Sequence, residues 1–322
     1  MFCRKLALAL GMAASALSAG AAAAPYPAEP VRLVVPYAPG GTTDLLARLI
    51  ASKLSAKYER QVVVENKTGA GGNIAATFVA RSRPDGYTLM MASIGQFAIN
   101  PLIFTAPGYD AAKDFQPVIQ VTQVPNVLVV NAASKLDSLQ DLVKLAKAQP
   151  GVTYASSGNG SSNHLAGALL AHMANIDMLH VPYKGSAPGL QALYGGDVQV
   201  MFDNLSSALP HVQGGKLRAL GVSSEARFSK LPDVPTIAES GLPGYEASAW
   251  FGLVAPAGTP APIIEQLNRD VAAVLADNEV RSKLLEMGMT PRGGSVAQFQ
   301  TVIDADIRKW KPIVQSLNLA VN

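Results

Sequence analysis

The stretch Val31-Arg32-Leu33-Val34-Val35-Pro36-Tyr37-Ala38-Pro39-Gly40-Gly41-Thr42-Thr43-Asp44 decides the fold. Its nearly unbroken apolar start predicts a buried strand, and Leu45 to Lys57 predicts a helix beyond the glycine turn. A second unit of the same design lies far downstream. There Val152-Thr153-Tyr154 leads into Ser156-Ser157-Gly158-Asn159-Gly160-Ser161-Ser162-Asn163-His164, and a helix is predicted over Leu165 to Met173. A loop of this kind leaves unpaired backbone N–H groups at a helix N-terminus, and its small residues admit a ligand closely. The helix dipole adds partial positive charge, so the place favours an anion. Two such places, separated by a crossover, predict a cleft that holds one anionic ligand between two lobes.

The rest of the chain alternates strands and helices. Gln61 to Glu65 reads as a strand, Ile74 to Arg81 as a helix and Thr88 to Ala92 as a strand. Val118 to Val121 and Val127 to Val130 are extended and separated by Pro125-Asn126, while Val198 to Phe202 and Leu217 to Val222 are short apolar strands. Helical spacing marks Leu139 to Ala148, the face Ile264, Leu267, Val271, Val274, Leu275, and the face Val296, Phe299, Val302, Ile303, Ile307, Trp310. This alternation predicts an α/β protein of two lobes, each a mostly parallel sheet flanked by helices. Ligands of open α/β sheets sit at the C-terminal edges of the strands.

The N-terminus carries the marks of export. Arg4 and Lys5 precede an apolar stretch, Leu6 to Leu17, and Ala21 to Ala24 offer a cleavage site after Ala23 or Ala24. Residues 1–24 are therefore read as a signal peptide. The single cysteine, Cys3, falls within it, which leaves no disulfide or cysteine chemistry for the mature chain. Of 322 residues, 49% are apolar, enough for a large core, and the net charge is +3. No basic run tracks a nucleic-acid backbone. His172, His180 and His211 lack metal-ligand spacing, and no cofactor is expected.

At this point the chain resembles the Bug family, the extracytoplasmic solute receptors of tripartite tricarboxylate transporters. The matching segments are Tyr26-Pro27, Pro39 to Asp44, Glu65 to Asn73, Pro84-Asp85-Gly86-Tyr87-Thr88, Ile99-Asn100-Pro101 and Tyr154 to Ser161. His164, Val181-Pro182-Tyr183-Lys184-Gly185, Pro235-Thr236, Glu239-Ser240-Gly241 and Ala255 to Pro260 complete them, in order along the whole mature chain. Thr68 stands where proline is common. The resemblance implies a two-lobed periplasmic binding protein fold with a hinge of crossing strands. Lobe 1 is then residues 25–125 plus 251–322, and lobe 2 is residues 126–250. It also implies a periplasmic receptor, expected to be a monomer, that grips a small carboxylate through amides and hydroxyls and delivers it to the membrane subunits of a transporter. Two alternatives stand beside transport: a ligand-dependent partner of a membrane signalling protein, and a periplasmic hydrolase. For the hydrolase, Ser161 and His164 lack an orienting acid in register.

The candidate ligand-binding residues follow from the two loops and the strand ends. Tyr37, Ala38, Pro39, Gly40, Gly41, Thr42 and Thr43 come from the first loop, with Asp44 read as a cap for backbone N–H groups. Ser93 and Gln96 follow a strand of the first lobe. Ser157, Gly158, Asn159, Gly160, Ser161 and His164 come from the second loop, where His164 serves either the ligand or the loop. Tyr183 and Asp203 end strands of the second lobe, and Asp203 is read either as selecting amino-bearing or protonated ligands or as a hydrogen bond within the lobe. Trp250 and Phe251 are read as core at the return crossover.

Overall fold

The computed structural model describes residues 26–317 and Leu319. The predicted signal peptide lies outside the described residues. Its strands are β1 (Val31–Val35), β2 (Val62–Asn66), β3 (Thr88–Ser93), β4 (Phe115–Val124), β5 (Asn126–Asn131), β6 (Val152–Ser156), β7 (Met178–Pro182), β8 (Val200–Asn204), β9 (Leu217–Val222), β10 (Ala249–Pro256) and β11 (Thr290–Gly293). Its helices are α1 (Thr42–Tyr58), α2 (Asn73–Ala80), α3 (Asn100–Ile103), α4 (Leu139–Ala148), α5 (Ser162–Ala174), α6 (Ser186–Gly195), α7 (Leu205–Gln213), α8 (Ala261–Ala276), α9 (Asn278–Glu286) and α10 (Val296–Leu317).

Two sheets result. One has the order β11-β4-β10-β3-β1-β2 and the other β7-β6-β8-β5-β9. In the first, β1 pairs in parallel with β2 and β3; in the second, β6 pairs in parallel with β7 and β8. The two lobes thus repeat one arrangement, in which a central strand feeds a glycine loop and a helix. Antiparallel pairings enter where the chain crosses, with β10 between β3 and β4 and β5 between β8 and β9, and at one edge, where β11 pairs with β4. A strand that leaves one sheet and continues into another enters the second sheet in the opposite sense to its parallel strands.

The central strand explains its own position. Val31, Leu33, Val34 and Val35 are all buried, as expected of a parallel strand covered on both faces. Leu46, Ile50 and Leu54 fall at four-residue spacing on α1 and face this sheet, each burial contributing about 1.5–3 kcal/mol. The helix stops at Glu59, which adopts the left-handed conformation at φ 52°. It begins three residues earlier than the sequence periodicity predicts, because Thr42, Thr43 and Asp44 form its first turn. The same holds for α5, whose first turn is Ser162, Asn163 and His164. In both units the second half of the glycine loop is the start of the helix.

The crossing segments lie side by side. β4 ends at Val124, Pro125 intervenes, and β5 begins at Asn126 in the other sheet. On the return, Ala249 pairs with Val124. Asn126 ties the two together: its backbone N–H donates to Ser223 Oγ (2.7 Å) and its amide donates to the Ala247 carbonyl (2.5 Å). The helix α10 buries Phe299, Ile303, Trp310 and Val314 along one stripe and reaches from the first sheet to α5 of the second.

Candidate functional site

The first loop is braced from beneath. Asp44 Oδ2 accepts the Gly40 N–H (3.0 Å) and Arg48 Nε (2.9 Å), and Asp44 Oδ1 accepts the Asn66 amide (3.0 Å). Asn66 also donates to the Tyr37 carbonyl (2.9 Å). Burial pushes the Asp44 carboxyl up, but these bonds outweigh it and hold the group below its usual range. Asp44 therefore serves backbone N–H groups as expected, though the one it takes belongs to the loop ahead of the helix. Arg48 is half-exposed and spends its guanidinium on this carboxylate.

The second loop is braced from within. Gly158 N–H donates to Ser156 Oγ (3.0 Å), and Gly160 N–H donates to His164 Nδ1 (3.1 Å). Ser161 Oγ donates to the Gly158 carbonyl (2.7 Å) and accepts the His164 N–H (3.2 Å). Gly158 and Gly160 have φ of 124° and 73°, which glycine alone adopts cheaply. The His164 ring stacks on His180 at 3.9 Å, and His180 Nε2 meets Ser156 Oγ at 2.6 Å. Burial lowers His164 to about 4. It is neutral at pH 7, as an Nδ1 that accepts a hydrogen bond requires.

Between the loops lies a small cavity of about 20 Å³. Its wall is Tyr37, Gly41, Thr42, Thr43, Ser93, Ser157, Ser161, Ser162, Asn163, Ser186, Asn204 and Phe251. Four helices begin in this wall. Gly41, Ser161 and Asn204 cap α1, α5 and α7, and Ser186 opens α6. Only α5 has a side-chain cap, the Ser161 hydroxyl; α1, α6 and α7 have none. First-turn N–H groups without a cap are donors awaiting an acceptor, although that of Leu205 in α7 already donates to the Pro125 carbonyl (2.9 Å). No Asp, Glu, Lys, Arg or His lines the wall. The lobes also touch directly: Ala38 N–H donates to the Lys184 carbonyl (2.9 Å), and Thr42 Oγ1 meets Ser206 Oγ at 2.6 Å. A larger groove of about 460 Å³ lies beside the crossing segments, among Pro125, Arg227, Glu246 and Arg292, but no helix starts in it.

Of the residues expected at the ligand, the structure brings Tyr37, Gly41, Thr42, Thr43, Ser93, Ser157 and Ser161 together. The others stand behind or beside them. Gly40, Gly158 and Gly160 spend their N–H groups inside their own loops. Pro39 is exposed, and Ala38 and Asn159 meet the opposite lobe, Asn159 against Gly71. Gln96 is fully buried and props the wall from behind: its Nε2 donates to Tyr37 Oη (3.0 Å) and its Oε1 accepts the Ser93 hydroxyl (2.9 Å). His164 serves the loop. Tyr183 is half-exposed, donating its N–H to the Ser156 carbonyl (3.1 Å). Asp203 is buried one layer back, accepting the Ser186 hydroxyl (2.5 Å) and the Asn204 N–H (2.8 Å).

The sequence reading missed Ser162, Asn163, Ser186 and Asn204, each in the first turn or cap of a helix that follows a strand. The signal was present: a polar small residue directly after Lys184-Gly185 and after Asp203. Phe251 was assigned to the core yet also forms cavity wall, while Trp250 is core, donating to Asp306 (2.7 Å) and packing on Phe97 and Phe299. Asn126 links the crossing to this wall, since its Oδ1 accepts Asn163 Nδ2 (2.7 Å) and Asn204 Nδ2 (2.9 Å).

Two α/β lobes, joined by paired crossing segments and closed over a cavity of helix N-termini, give the architecture of a two-lobed periplasmic binding protein. Residues 46–319 match the family described as tripartite tricarboxylate transporter family receptor, and the chain belongs to that family. Protein BugT of Bordetella pertussis is 38% identical over 306 residues, covering 94% of each chain. The R. palustris protein Rpa4515, solved with adipate, is 42% identical with a TM-score of 0.89, covering 92% of this chain and 99% of that one. MatC from Rhodopseudomonas palustris, solved with bound malate, is 34% identical with a TM-score of 0.86, covering 90% and 100%. The chain is thus a solute-binding receptor of a periplasmic family, similar to proteins that hold dicarboxylates.

Proposed function

We propose that this receptor binds a small dicarboxylate between its lobes and presents it to the membrane subunits of a tripartite tricarboxylate-type transporter. The observation that carries the ligand class is the convergence of four helix N-termini on a wall without an ionised side chain. A hydrogen bond to a charged group contributes about 1.5–3 kcal/mol net, and a helix N-terminus adds about 0.3–1. Several together reach the ~8 kcal/mol of a micromolar complex after ordering costs. The grip is neutral: Thr42, Thr43, Ser157, Tyr37 and first-turn amides supply it, with Phe251 as an apolar wall. Gln96, His164 and Asp203 hold the wall in place.

The lobes are residues 26–125 with 249–317, and residues 126–248; the return boundary lies ahead of the expected 250/251 because Ala249 and Trp250 pair with Val124 and Gln123 of β4. What supports this division is the step from β4 to β5 at Pro125 and the return into β10. A cavity of about 20 Å³ admits one water, whereas ligand pockets run from about 300 Å³. Entry therefore requires the lobes to part, turning at Pro125 and at residues 247–249.

The test is a thermal-shift screen of dicarboxylates against protein refolded from denaturant. At 100 times its dissociation constant a ligand stabilises by ~2.7 kcal/mol. No shift with any dicarboxylate, beside a clear shift with a sulfonate or an uncharged solute, overturns the ligand class. Uptake that survives deletion of the membrane subunits overturns the delivery.

A further inference from the structure

Three hydroxyl protons around the cavity, those of Ser186, Ser93 and Ser161, are committed, and the commitment constrains the ligand. Ser186 donates to Asp203 Oδ2 at 2.5 Å. Asp203 is fully buried, and it also accepts the Asn204 N–H (2.8 Å), with the Ser207 hydroxyl close by. An ionised carboxylate only accepts, so the single Ser186 proton points away from the cavity. Burial, partly opposed by the bonds from Ser186, Ser207 and Asn204, raises Asp203 to about 6, which leaves it ionised at neutral pH. Ser186 Oγ then presents only lone pairs to a ligand.

Two further cavity hydroxyls are committed in the same way. Ser93 donates to Gln96 Oε1 (2.9 Å). The orientation of that amide is fixed twice, because its Nε2 donates to the Gly71 carbonyl (3.1 Å) and its Oε1 accepts the Ser93 N–H (3.1 Å). Ser161 gives its proton to the Gly158 carbonyl (2.7 Å). The wall therefore mixes donors, the first-turn N–H groups, with hydroxyls that can only accept. An ionised diacid with a bare carbon chain brings acceptors alone. Against Ser186 it sets lone pair against lone pair, with the Asp203 charge directly behind.

We propose that the Asp203–Ser186 pair selects dicarboxylates with a hydrogen-bond donor on the carbon beside the anchored carboxylate, as in a 2-hydroxy diacid, over the plain diacid of equal length. This rests on the carboxylate-binding reading above. The donor belongs beside the carboxylate because the acceptor Oγ and the α6 first-turn N–H are parts of one residue, Ser186. A carboxylate oxygen that takes the N–H brings the neighbouring carbon to the Oγ. Asp203 acts as a positioning residue, since it fixes which way the Ser186 proton points.

The test measures affinity ratios by calorimetry for three pairs: malate against succinate, 2-hydroxyglutarate against glutarate, and 2-hydroxyadipate against adipate. The wild type is expected to favour the hydroxy acid about tenfold or more in the pair that fits. In Asp203→Asn the new amide donates to Ser186 Oγ and releases its proton toward the ligand, so the ratio falls to about one or reverses. Ser186→Ala abolishes the ratio, and Ser186→Thr restores it, which a merely structural role would not do. If diacids bind and the wild type holds the plain member of each pair as tightly as the hydroxy acid, the inference is wrong and the carboxylate reading stands. A ratio unchanged in both Ser186→Ala and Asp203→Asn also overturns it. If none of the six acids binds, both readings fail together.

Discussion

Gly71→Ala isolates closure of the lobes from folding of either lobe. Gly71 has φ 63° and lies at the tip of the turn between β2 and α2. A methyl there would press into the Asn159 carbonyl oxygen of the opposite lobe, far inside contact distance. Asn159 cannot give way, because its neighbours Gly158 and Gly160 are pinned by Ser156 and His164. The lobes must instead stand apart by on the order of 1 Å. That separation breaks the Ala38–Lys184 backbone bond and the Thr42–Ser206 contact, each contributing about 1 kcal/mol. Closed-state binding should weaken at least tenfold, about 1.4 kcal/mol. The left-handed backbone adds about 1–2 kcal/mol of folding cost for alanine. Gly215→Ala is the control, since Gly215 has φ 68° with nothing within 4 Å of a Cβ. It carries the backbone cost without the clash. Calorimetry with the tightest dicarboxylate from the screen reads the affinity, and small-angle scattering at saturation reads compaction. If Gly71→Ala binds within twofold of wild type and compacts as fully, closure against Asn159 does not contribute to binding.

Three further outcomes are expected. Gly158→Val forces a branched side chain onto φ 124° and against the Tyr183 carbonyl, 3.0 Å from the new Cβ; it should weaken binding at least roughly tenfold while circular dichroism shows a folded protein. Arg48→Gln removes only a half-exposed partner of Asp44, so it should cost less than ~1 kcal/mol of stability and leave affinity within about threefold; loss of binding would require a charged clamp in place of the neutral grip. Asp203, raised from 3.8 to about 6, keeps its proton in the folded state at pH values where the unfolded chain has lost it. Its contribution to stability therefore falls as pH rises from about 4 to about 6, by ~2 kcal/mol in order of magnitude. Asp203→Asn lacks this loss, so the wild-type advantage in urea unfolding should shrink between pH 4.5 and pH 6.5; a constant difference would show that Asp203 titrates normally.

Patterns carried by neighbouring residues were legible without coordinates. The apolar run Val31–Val35 makes a buried parallel strand wherever it is placed, and Pro39-Gly40-Gly41 cannot continue it. The same holds for Val152 to Ser161, so two strand–loop–helix units could be read directly. What the chain order could not show is which atoms remain free once neighbours arrive from afar. Gly158 and Gly160 look like open amides in the sequence, yet Ser156 and His164 take their N–H groups. Ser186 and Asn204 look like ordinary helix starts, yet the order β7-β6-β8 brings them beside Ser157 and Ser161, and β1 brings Thr42 from the other lobe to face them. Gln96 and Asp203 were expected at the ligand because they follow strand ends. Burial put them one layer behind, where their hydrogen bonds fix the protons of Ser93 and Ser186. Strand periodicity is local, because each residue's face depends on its nearest neighbours. Hydrogen-bond commitment is global, because a donor is spent by whichever acceptor the fold brings to it.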